Sequence, residues 1–280
     1  MHLNRYAGVT RLVFTFLAAA SLGLYAQEAA APANYSGLTR AQKEDFLLHA
    51  KIVKSQHANK GVTDTIRATL SDGKITHDAS IQRIDDTKHN FETPTGTELV
   101  FRDSWKYNLA AYKLDKLLGL NMIPAYVERS YEGSKASFSW WVEDVQMDED
   151  TRQHKKLQAP DQVKWNQQMH VANVFNQLIY NTDFNMTNLL IDKNWDIWMI
   201  DFSRAFRSNT SLLDPKVLAQ CDTDMLAKMK QLDESTLKRE IGNYVEGTGI
   251  KGLLARRDKI VKFFEDKGPS AMFNMPRRPE

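Results

Sequence analysis

Apolar and polar positions in the first part of the chain predict one helix followed by a β-hairpin. Apolar residues fall at helical spacing among charges over residues 38–55, with Thr39 placed as an N-cap. Over residues 66–84, apolar and polar residues alternate on both sides of a Ser-Asp-Gly-Lys turn at 71–74, as in paired, half-buried strands. This part of the chain is therefore expected to begin a β-rich unit.

A second helix and a second pair of strands follow. Proline and glycine predict a loop over residues 91–97, and apolar residues at helical spacing predict a helix over 104–118 that ends at Gly119. Residues 123–129 and 136–142 are strand candidates on either side of a turn. The first half of the chain is thus predicted to contain strands, a helix and more strands.

The second half of the chain is predicted to be mainly helical. Residues 144–160 are charged and poor in large apolar groups, which indicates a linker, and an amphipathic helix then runs until just before Asp183. Short strands are predicted at 189–191 and 197–202. Three further helices are predicted near 217–232, 234–244 and 249–264. This order indicates an α+β protein with two lobes.

The first residues have the layout of a secretory signal peptide. Arg5 and Arg11 precede an apolar run over 12–25, and Ala26 is a small residue at the expected cleavage point. The run is short for a membrane-spanning helix of about 20 residues and contains polar residues, which favours cleavage over the alternative of a single membrane anchor. We therefore expect an exported protein, periplasmic or secreted, with no transmembrane span after cleavage.

The same patterns divide the chain into segments. The signal peptide (1–26) is followed by an Ala/Pro-rich stretch, which predicts a flexible lead-in (27–37). The rest of the chain is long enough for two lobes around a cleft. Its predicted parts are a β-rich N-lobe (38–145), an interlobe linker (146–162), a helical C-lobe (163–270) and a flexible tail (271–280).

Composition argues against several classes of function. The 37 Lys and Arg residues are almost balanced by 35 Asp and Glu residues, whereas a nucleic-acid-binding protein with a broad basic face is strongly cationic. Cys221 is the only cysteine, so no intrachain disulfide is possible. The histidines lack zinc-site spacing, and no Gly-x-Ser-x-Gly nucleophile motif is present.

One segment in the second half carries residues suited to phosphoryl transfer. Asp183 lies five positions before Asn188, a strand and a turn follow, and a second strand ends in Ile-Asp-Phe with Asp201 at its centre. Phosphoryl transfer needs a carboxylate that orients the attacking hydroxyl and oxygen ligands that hold magnesium on the phosphates. The strand–turn–strand path returns the chain beside its start, so Asn188 and Asp201 can lie close enough to share one ion, and two oxygen ligands suit Mg²⁺ or Mn²⁺. Each short pattern also occurs by chance, and the alternative is an acidic pair hydrogen-bonded in the core of a scaffold protein.

The run over residues 180–206 resembles the catalytic segment of atypical kinases, in the branch of phosphoinositide-kinase-like, HipA-type and secreted Golgi kinases. The resemblance implies a two-lobed kinase-like fold, with a β-rich N-lobe that holds one helix and a mainly helical C-lobe with an embedded catalytic hairpin. It further implies that Asp183 is the catalytic residue that accepts or orients the proton of the hydroxyl, and that Asn188 and Asp201 are the metal ligands.

The resemblance extends more loosely into the first half of the chain. It implies that Gly61 and Thr63 belong to the hairpin over ATP or another nucleotide, and that the backbone near Trp141 and Val142 faces the adenine. Kinases place a lysine on a strand and pair it with a glutamate of the following helix. Here Gln82 stands in the lysine position.

Asn108 stands in the position of that glutamate, so the Gln82–Asn108 pair can bind a phosphate oxygen but carries no positive charge. Arg102 or Lys106 are alternative sources of the missing charge. After Asp201 and the phenylalanine, Ser203 replaces the usual glycine, which favours a fixed segment over a swinging one.

Two functions follow from these patterns. The first is an exported kinase-fold phosphotransferase that uses magnesium and a nucleoside triphosphate to phosphorylate an unknown hydroxyl acceptor on a protein, a lipid or a small molecule. The alternative is a catalytically silent kinase-fold protein, a pseudokinase of the cell envelope, that binds a nucleotide or a partner. The uncharged Gln82–Asn108 pair and the scarcity of ATP outside the cytoplasm favour the alternative, whereas the residues on the metal side favour the enzyme.

Overall fold

The computed structural model describes residues 37–57, 65–93 and 96–278, and it describes the side chains of these residues except in 89–100. The strands are β1 (Lys51–His57), β2 (Ile66–Ser71), β3 (Thr76–Gln82), β4 (Asp85–Thr93), β5 (Gly96–Ser104), β6 (Tyr126–Tyr131), β7 (Ser134–Trp140), β8 (Val145–Asp148), β9 (Leu189–Asp192), β10 (Ile197–Met199), β11 (Cys221–Asp222) and β12 (Met272–Phe273). The helices are α1 (Arg40–His49), α2 (Trp105–Leu118), α3 (Glu149–His154), α4 (Gln162–Ile179), α5 (Thr223–Gln231), α6 (Glu234–Ile241) and α7 (Gly247–Lys267). The predicted signal peptide lies outside the described residues.

An antiparallel sheet in the order β1-β2-β3-β7-β6 forms the centre of the N-terminal half. Strand β2 shows why the alternating pattern gives a strand: Ile66, Ala68 and Leu70 are buried, and the residues between them are half-buried. The hairpin predicted over 66–84 is confirmed, and Gly73 adopts φ +88° in its turn. Helices α1 and α2 both pack against β6 and β7.

Helix α2 lies where the spacing of apolar residues predicts it. Ser104 is its N-cap, with Oγ accepting a hydrogen bond of 3.3 Å from the Lys106 N–H, and Gly119 ends the helix at φ +62°. Strand β5 leads directly into Trp105, the first residue of α2. The N-terminus of the helix is therefore fixed by the β4–β5 hairpin that precedes it.

The helix predicted over 38–55 is too long. Thr39 caps it as predicted, but α1 ends at His49, because Ala50 is extended and the next residues pair with β2 as an edge strand. The β-branched pair Ile52-Val53 favours a strand here. Backbone pairing with β2 therefore outweighs the helical spacing of apolar residues in this segment.

Two segments that were expected to be irregular contain regular structure. The loop predicted over 91–97 is too long, since residues 91–93 of β4 pair in antiparallel register with residues 96–98 of β5. The charged segment 144–160 contains β8 and α3, and β8 extends the hairpin of β9 and β10 into a three-stranded sheet. Pairing with β9 stabilises β8, and the periodicity of apolar residues in a sequence does not indicate such pairing. The predicted lobe boundaries stay predictions.

The C-terminal half is mainly helical, as predicted. Arg256 of α7 is fully buried and donates hydrogen bonds to the carbonyl groups of Leu178 (2.8 Å), Arg207 (3.1 Å) and Asn209. Burial lowers the pKa of Arg256 to about 10. These bonds connect α7 to the end of α4 and to the segment that follows β10. Within the described ranges, no helix is long and apolar enough to cross a membrane.

Candidate functional site

The end of α4 places Asp183 at the start of a short turn. Tyr180 ends the helix in the left-handed conformation (φ 53°), and the side chain of Asn181 then accepts a hydrogen bond of 3.2 Å from the Asp183 N–H. Asn181 is buried and also donates a hydrogen bond of 2.8 Å to the side chain of Asn176. Buried amide groups therefore fix the backbone at Asp183, while its carboxylate is 39% exposed.

The β9–β10 hairpin brings the other two predicted site residues to the same place. The backbone N–H of Ile200 donates to the carbonyl oxygen of Asn188 (3.0 Å), so Asn188 lies beside the residue that precedes Asp201. The side-chain nitrogen of Asn188 donates a 3.4 Å hydrogen bond to the carbonyl of Asp183. This bond uses the nitrogen atom of the amide, which is the atom that cannot bind a cation.

Asp201 has the backbone and electrostatic features of a functional residue. It adopts φ +57°, a conformation that is uncommon for residues other than glycine. Its Oδ1 atom is buried and has no hydrogen-bond partner. Burial raises the pKa of Asp201, a hydrogen bond from Ser203 opposes this effect, and the carboxylates of Asp103 and Asp183 raise the pKa further. A cation bound at Oδ1 would relieve the cost of this buried, unpaired oxygen.

The donor set fits a hard divalent cation whose remaining ligands come from phosphates and water. Among the described residues, no group of three or more His, Cys, Asp or Glu side chains is placed to hold a metal ion without other ligands. Asn188 and Asp201 offer two oxygen donors, and magnesium typically keeps several waters and binds one or two carboxylates together with substrate phosphates. Asn188 and Asp201 therefore fit Mg²⁺ or Mn²⁺ only in the presence of a phosphate ligand.

Uncharged groups connect the sheet, helix α2 and the Asp201 segment. Asn108 of α2 donates from Nδ2 to Oε1 of Gln82, and its Oδ1 accepts a 2.7 Å hydrogen bond from the Phe202 N–H. Gln82 also donates a 3.4 Å hydrogen bond to Thr65. Asn108 has no exposed surface, so it supports Gln82 and Phe202 and does not itself reach a ligand. Of this pair, only Gln82 remains a candidate for phosphate binding.

Replacing Asn108 with alanine is expected to lower the free energy of unfolding by about 3 kcal/mol, because the buried Phe202 N–H and the Gln82 oxygen both lose their partner. For a domain of this size, the melting temperature should fall by about 6–12 °C in a thermal denaturation experiment. Asn194→Ala, on the exposed turn between β9 and β10, is the matched control, with an expected change within about 0.5 kcal/mol. Equal losses in the two variants would show that the buried amide chain does not stabilise the fold.

The two alternative sources of the missing positive charge, Arg102 and Lys106, are paired elsewhere. Arg102 contacts Glu246 at 2.9 Å, and Lys106 contacts Asp85 at 2.7 Å. The cation that reaches the site is Arg204, which the sequence patterns did not single out. Its Nη1 atom lies 3.4 Å from Oδ2 of Asp183. The feature of the sequence that could have indicated Arg204 is its position three residues after Asp201.

The remaining predicted nucleotide-binding residues are placed as follows. Trp141 and Val142 directly follow β7 and are half-buried, but the Trp141 N–H already donates to the Asp78 carbonyl (3.1 Å). The Trp141 carbonyl and the backbone of Val142 remain the candidates for hydrogen bonds to adenine. Gly61 and Thr63 lie outside the described residues.

Two cavities lie away from these residues. A cavity of about 370 Å³ lies between Met122, Gln168 and the C-terminal residues near Met275. A second, of about 500 Å³, lies between Leu109 of α2 and Tyr244. Neither is lined by Asp183, Asn188 or Asp201, so the candidate site is defined here by the placement of its polar groups.

No family model and no curated protein matches this sequence. Several solved structures share its fold. A structure of hydra Fam20 with sugar is 13% identical, has a TM-score of 0.62, and aligns over 84% of this chain and 92% of that chain. A Golgi casein kinase is 12% identical, with a TM-score of 0.56 over 85% of this chain and 78% of that chain. The Golgi casein kinase with Mn/ADP bound is 12% identical, with a TM-score of 0.52 over 84% of this chain and 78% of that chain.

The chain therefore has an atypical kinase-like fold, with a β-sheet N-lobe and a helical C-terminal part. The predicted α+β fold class is confirmed. Because the identities are between 12% and 13%, these similarities establish the fold, and the chemistry must be argued from the residues of this chain.

Proposed function

We propose that this protein is an exported phosphotransferase that moves the terminal phosphate of a nucleoside triphosphate to a hydroxyl group. The observation that carries the proposal is the buried, unpartnered Oδ1 of Asp201 at the end of the β9–β10 hairpin, beside Asn188 and within electrostatic range of Asp183. An orphaned carboxylate oxygen in a left-handed backbone is costly for a scaffold and useful for binding a cation. Because the fold is kinase-like, phosphoryl transfer is the class of reaction that we propose for this arrangement.

In the proposed reaction, the acceptor hydroxyl gives its proton to the Asp183 carboxylate as its oxygen attacks the terminal phosphorus. A new bond between phosphorus and the acceptor oxygen forms, and the bond to the bridging oxygen breaks with its electron pair leaving on the nucleoside diphosphate. When bound by Asn188 and Asp201, Mg²⁺ or Mn²⁺ neutralises the phosphate charge. The backbone of Trp141 and Val142 is the proposed contact to the base and Gln82 the proposed contact to a phosphate oxygen, with Gly61 and Thr63 proposed for the hairpin over the nucleotide.

Two observations guide the search for the acceptor and for the compartment. The signal-peptide pattern over 1–26 supports export, and one of the structures with the same fold is a Golgi kinase by name. The names of those structures mention casein and a sugar, so casein and a sugar are the first acceptors to test, followed by lipid head groups.

Thermal stability with and without nucleotide tests the proposal. MgATP or MnATP at about 100 times its dissociation constant should stabilise the protein by about 2.7 kcal/mol, or roughly 5–10 °C, whereas ATP with a chelator should give a much smaller shift. Radiolabelled ATP should then transfer phosphate to casein, to a sugar or to inositol lipid vesicles. Metal-dependent binding without any transfer or ATP turnover would establish the silent kinase-fold alternative. The absence of a shift with every nucleotide and both metals would reject the phosphotransferase and the nucleotide-binding form of the alternative, and would leave a scaffold or partner-binding protein.

A further inference from the structure

The turn that carries Asp183 and Asn188 has no positively charged side chain of its own. Residues 183–188 contain neither Lys nor Arg, and Gln82 in the neighbouring sheet is uncharged. Against this, the carboxylates of Asp103 and Asp183 both lie close enough to Asp201 to act on it electrostatically. A nucleotide phosphate that approaches three carboxylates is repelled unless cations lie on both sides of it. A divalent cation at Asn188 and Asp201 supplies only one side.

Arg204 is held beside Asp183 by contacts that fix both its backbone and its side chain. Its carbonyl oxygen accepts hydrogen bonds from the N–H (3.3 Å) and Oγ1 (3.0 Å) of Thr182, the neighbour of Asp183. Its Nε donates a 3.0 Å hydrogen bond to Oδ2 of Asp103, and its guanidinium lies 5.0 Å from the ring of Phe101. The side chain is still 29% exposed, so a ligand bound beside Asp183 can reach it.

Asp103 explains why the guanidinium keeps this position. Its side chain is only 2% exposed, its Oδ1 has no hydrogen-bond partner, and Arg204 is the cation paired with its Oδ2. Leaving a buried carboxylate without its cation is strongly unfavourable, so Arg204 stays in place when ligands enter and leave. The bond to Asp103 uses Nε, and the terminal nitrogen atoms remain for Asp183 and for phosphate oxygens.

We propose that Arg204 supplies the positive charge that contacts the phosphoryl group during transfer, and that Asp103 is the positioning residue that holds its guanidinium beside Asp183. The inference rests on the proposed phosphotransfer and adds a residue to that site. In other kinases a lysine on a strand supplies this positive charge, whereas here Arg204, in the segment after β10, would supply it. Guanidinium groups suit this task because they bind phosphate oxygens through two parallel hydrogen bonds.

The test compares Arg204→Met, Arg204→Lys and Asp103→Asn with wild type, using release of inorganic phosphate from MgATP and equilibrium binding of MgADP. Arg204→Met should lower kcat by about 100-fold or more, which is the usual effect of removing one hydrogen-bond donor to an oxygen atom that gains charge in the transition state. The affinity for MgADP should change by less than about 3-fold. Arg204→Lys should keep part of the rate, because lysine retains the positive charge but lacks the planar guanidinium group that donates two parallel hydrogen bonds. Asp103→Asn should lower kcat by about 10-fold with little change in KM.

Arg239→Met is the matched control, because Arg239 is an exposed arginine of α6 that pairs only with its neighbour Glu240 among the contacts described. A wild-type rate in Arg204→Met would overturn the inference. So would a loss of MgADP binding equal to the loss of rate, which indicates a structural role, or a faster variant, which indicates that Arg204 restrains Asp183. If wild type itself neither binds nor turns over nucleotide, the proposed function fails and the inference fails with it.

Discussion

Asp201→Asn is expected to abolish metal-dependent nucleotide binding and at the same time to make the ligand-free protein more stable. The carboxylate is the charged cation ligand of the site, so its loss should reduce phosphate transfer by about 10³-fold. In the ligand-free protein, the buried Oδ1 lacks a partner and lies near two further carboxylates. Removing that charge should raise the free energy of unfolding by about 1 kcal/mol, or about 2–4 °C in melting temperature.

The gain in stability should depend on pH in a defined direction. Burial raises the pKa of Asp201 in the folded protein, so the folded state favours the protonated form and loses stability as pH rises through that pKa. Asparagine mimics the protonated form at every pH. The difference in melting temperature between variant and wild type should therefore be largest near neutral pH and shrink as pH falls towards about 4, the ordinary range of a carboxyl group.

Melting curves of both proteins from about pH 4 to pH 8, with a chelator present, measure this difference. Asp258→Asn, on the exposed side of α7, is the control for removing a carboxylate elsewhere. A variant that is less stable than wild type at neutral pH, while still binding MgATP, would contradict the assignment of Asp201 as a cation ligand.

Asp183→Asn is expected to separate catalysis from binding. Asparagine keeps the shape of the side chain but cannot accept the proton of the acceptor hydroxyl, so kcat should fall by about 10²–10⁴-fold. Its carboxylate is 39% exposed and its backbone is fixed by Asn181, so the fold should be retained. The thermal shift caused by MgATP should remain within about 1 °C of the wild-type shift, since Asn188 and Asp201 are unchanged.

The measurement is single-turnover transfer from radiolabelled ATP alongside the thermal shift. Asp258→Asn serves again as the control and should transfer phosphate at the wild-type rate. If Asp183→Asn turned over ATP at that rate, another group would have to accept the proton, and the exposed carboxylate would then be a surface charge paired with Arg204.

The candidate site could be predicted where its residues are close in sequence. Asp183, Asn188 and Asp201 lie within a single turn–hairpin unit, so spacing alone was enough to predict that they meet. The Asp103–Arg204 contact joins residues 101 positions apart, and no local pattern indicates such a contact. It depends on how the N-terminus of α2 packs beside the segment after β10, which is a tertiary property.

The fold could be predicted where helices have strong apolar spacing and defined ends. Ser104 and Gly119 delimit α2, and Thr39 begins α1, as their chemistry indicates. The strands β1 and β8 were missed because they are stabilised by pairing with β2 and β9 and not by a buried face of their own. Edge strands of this kind have mostly exposed side chains, so their sequences resemble helix ends or linkers.

The neutral link from Gln82 through Asn108 to Phe202 has a consequence for the way the protein responds to salt. In kinases with a lysine–glutamate pair, an ion pair makes this connection, and mobile ions in the solvent weaken such pairs when they are accessible. Two amide groups with no net charge, one of them fully buried, are not screened in this way. The hydrogen bonds from Gln82 through Asn108 to Phe202 should thus be equally strong in dilute and concentrated salt, unlike the exposed ion pair of Lys106 with Asp85 at the start of α2.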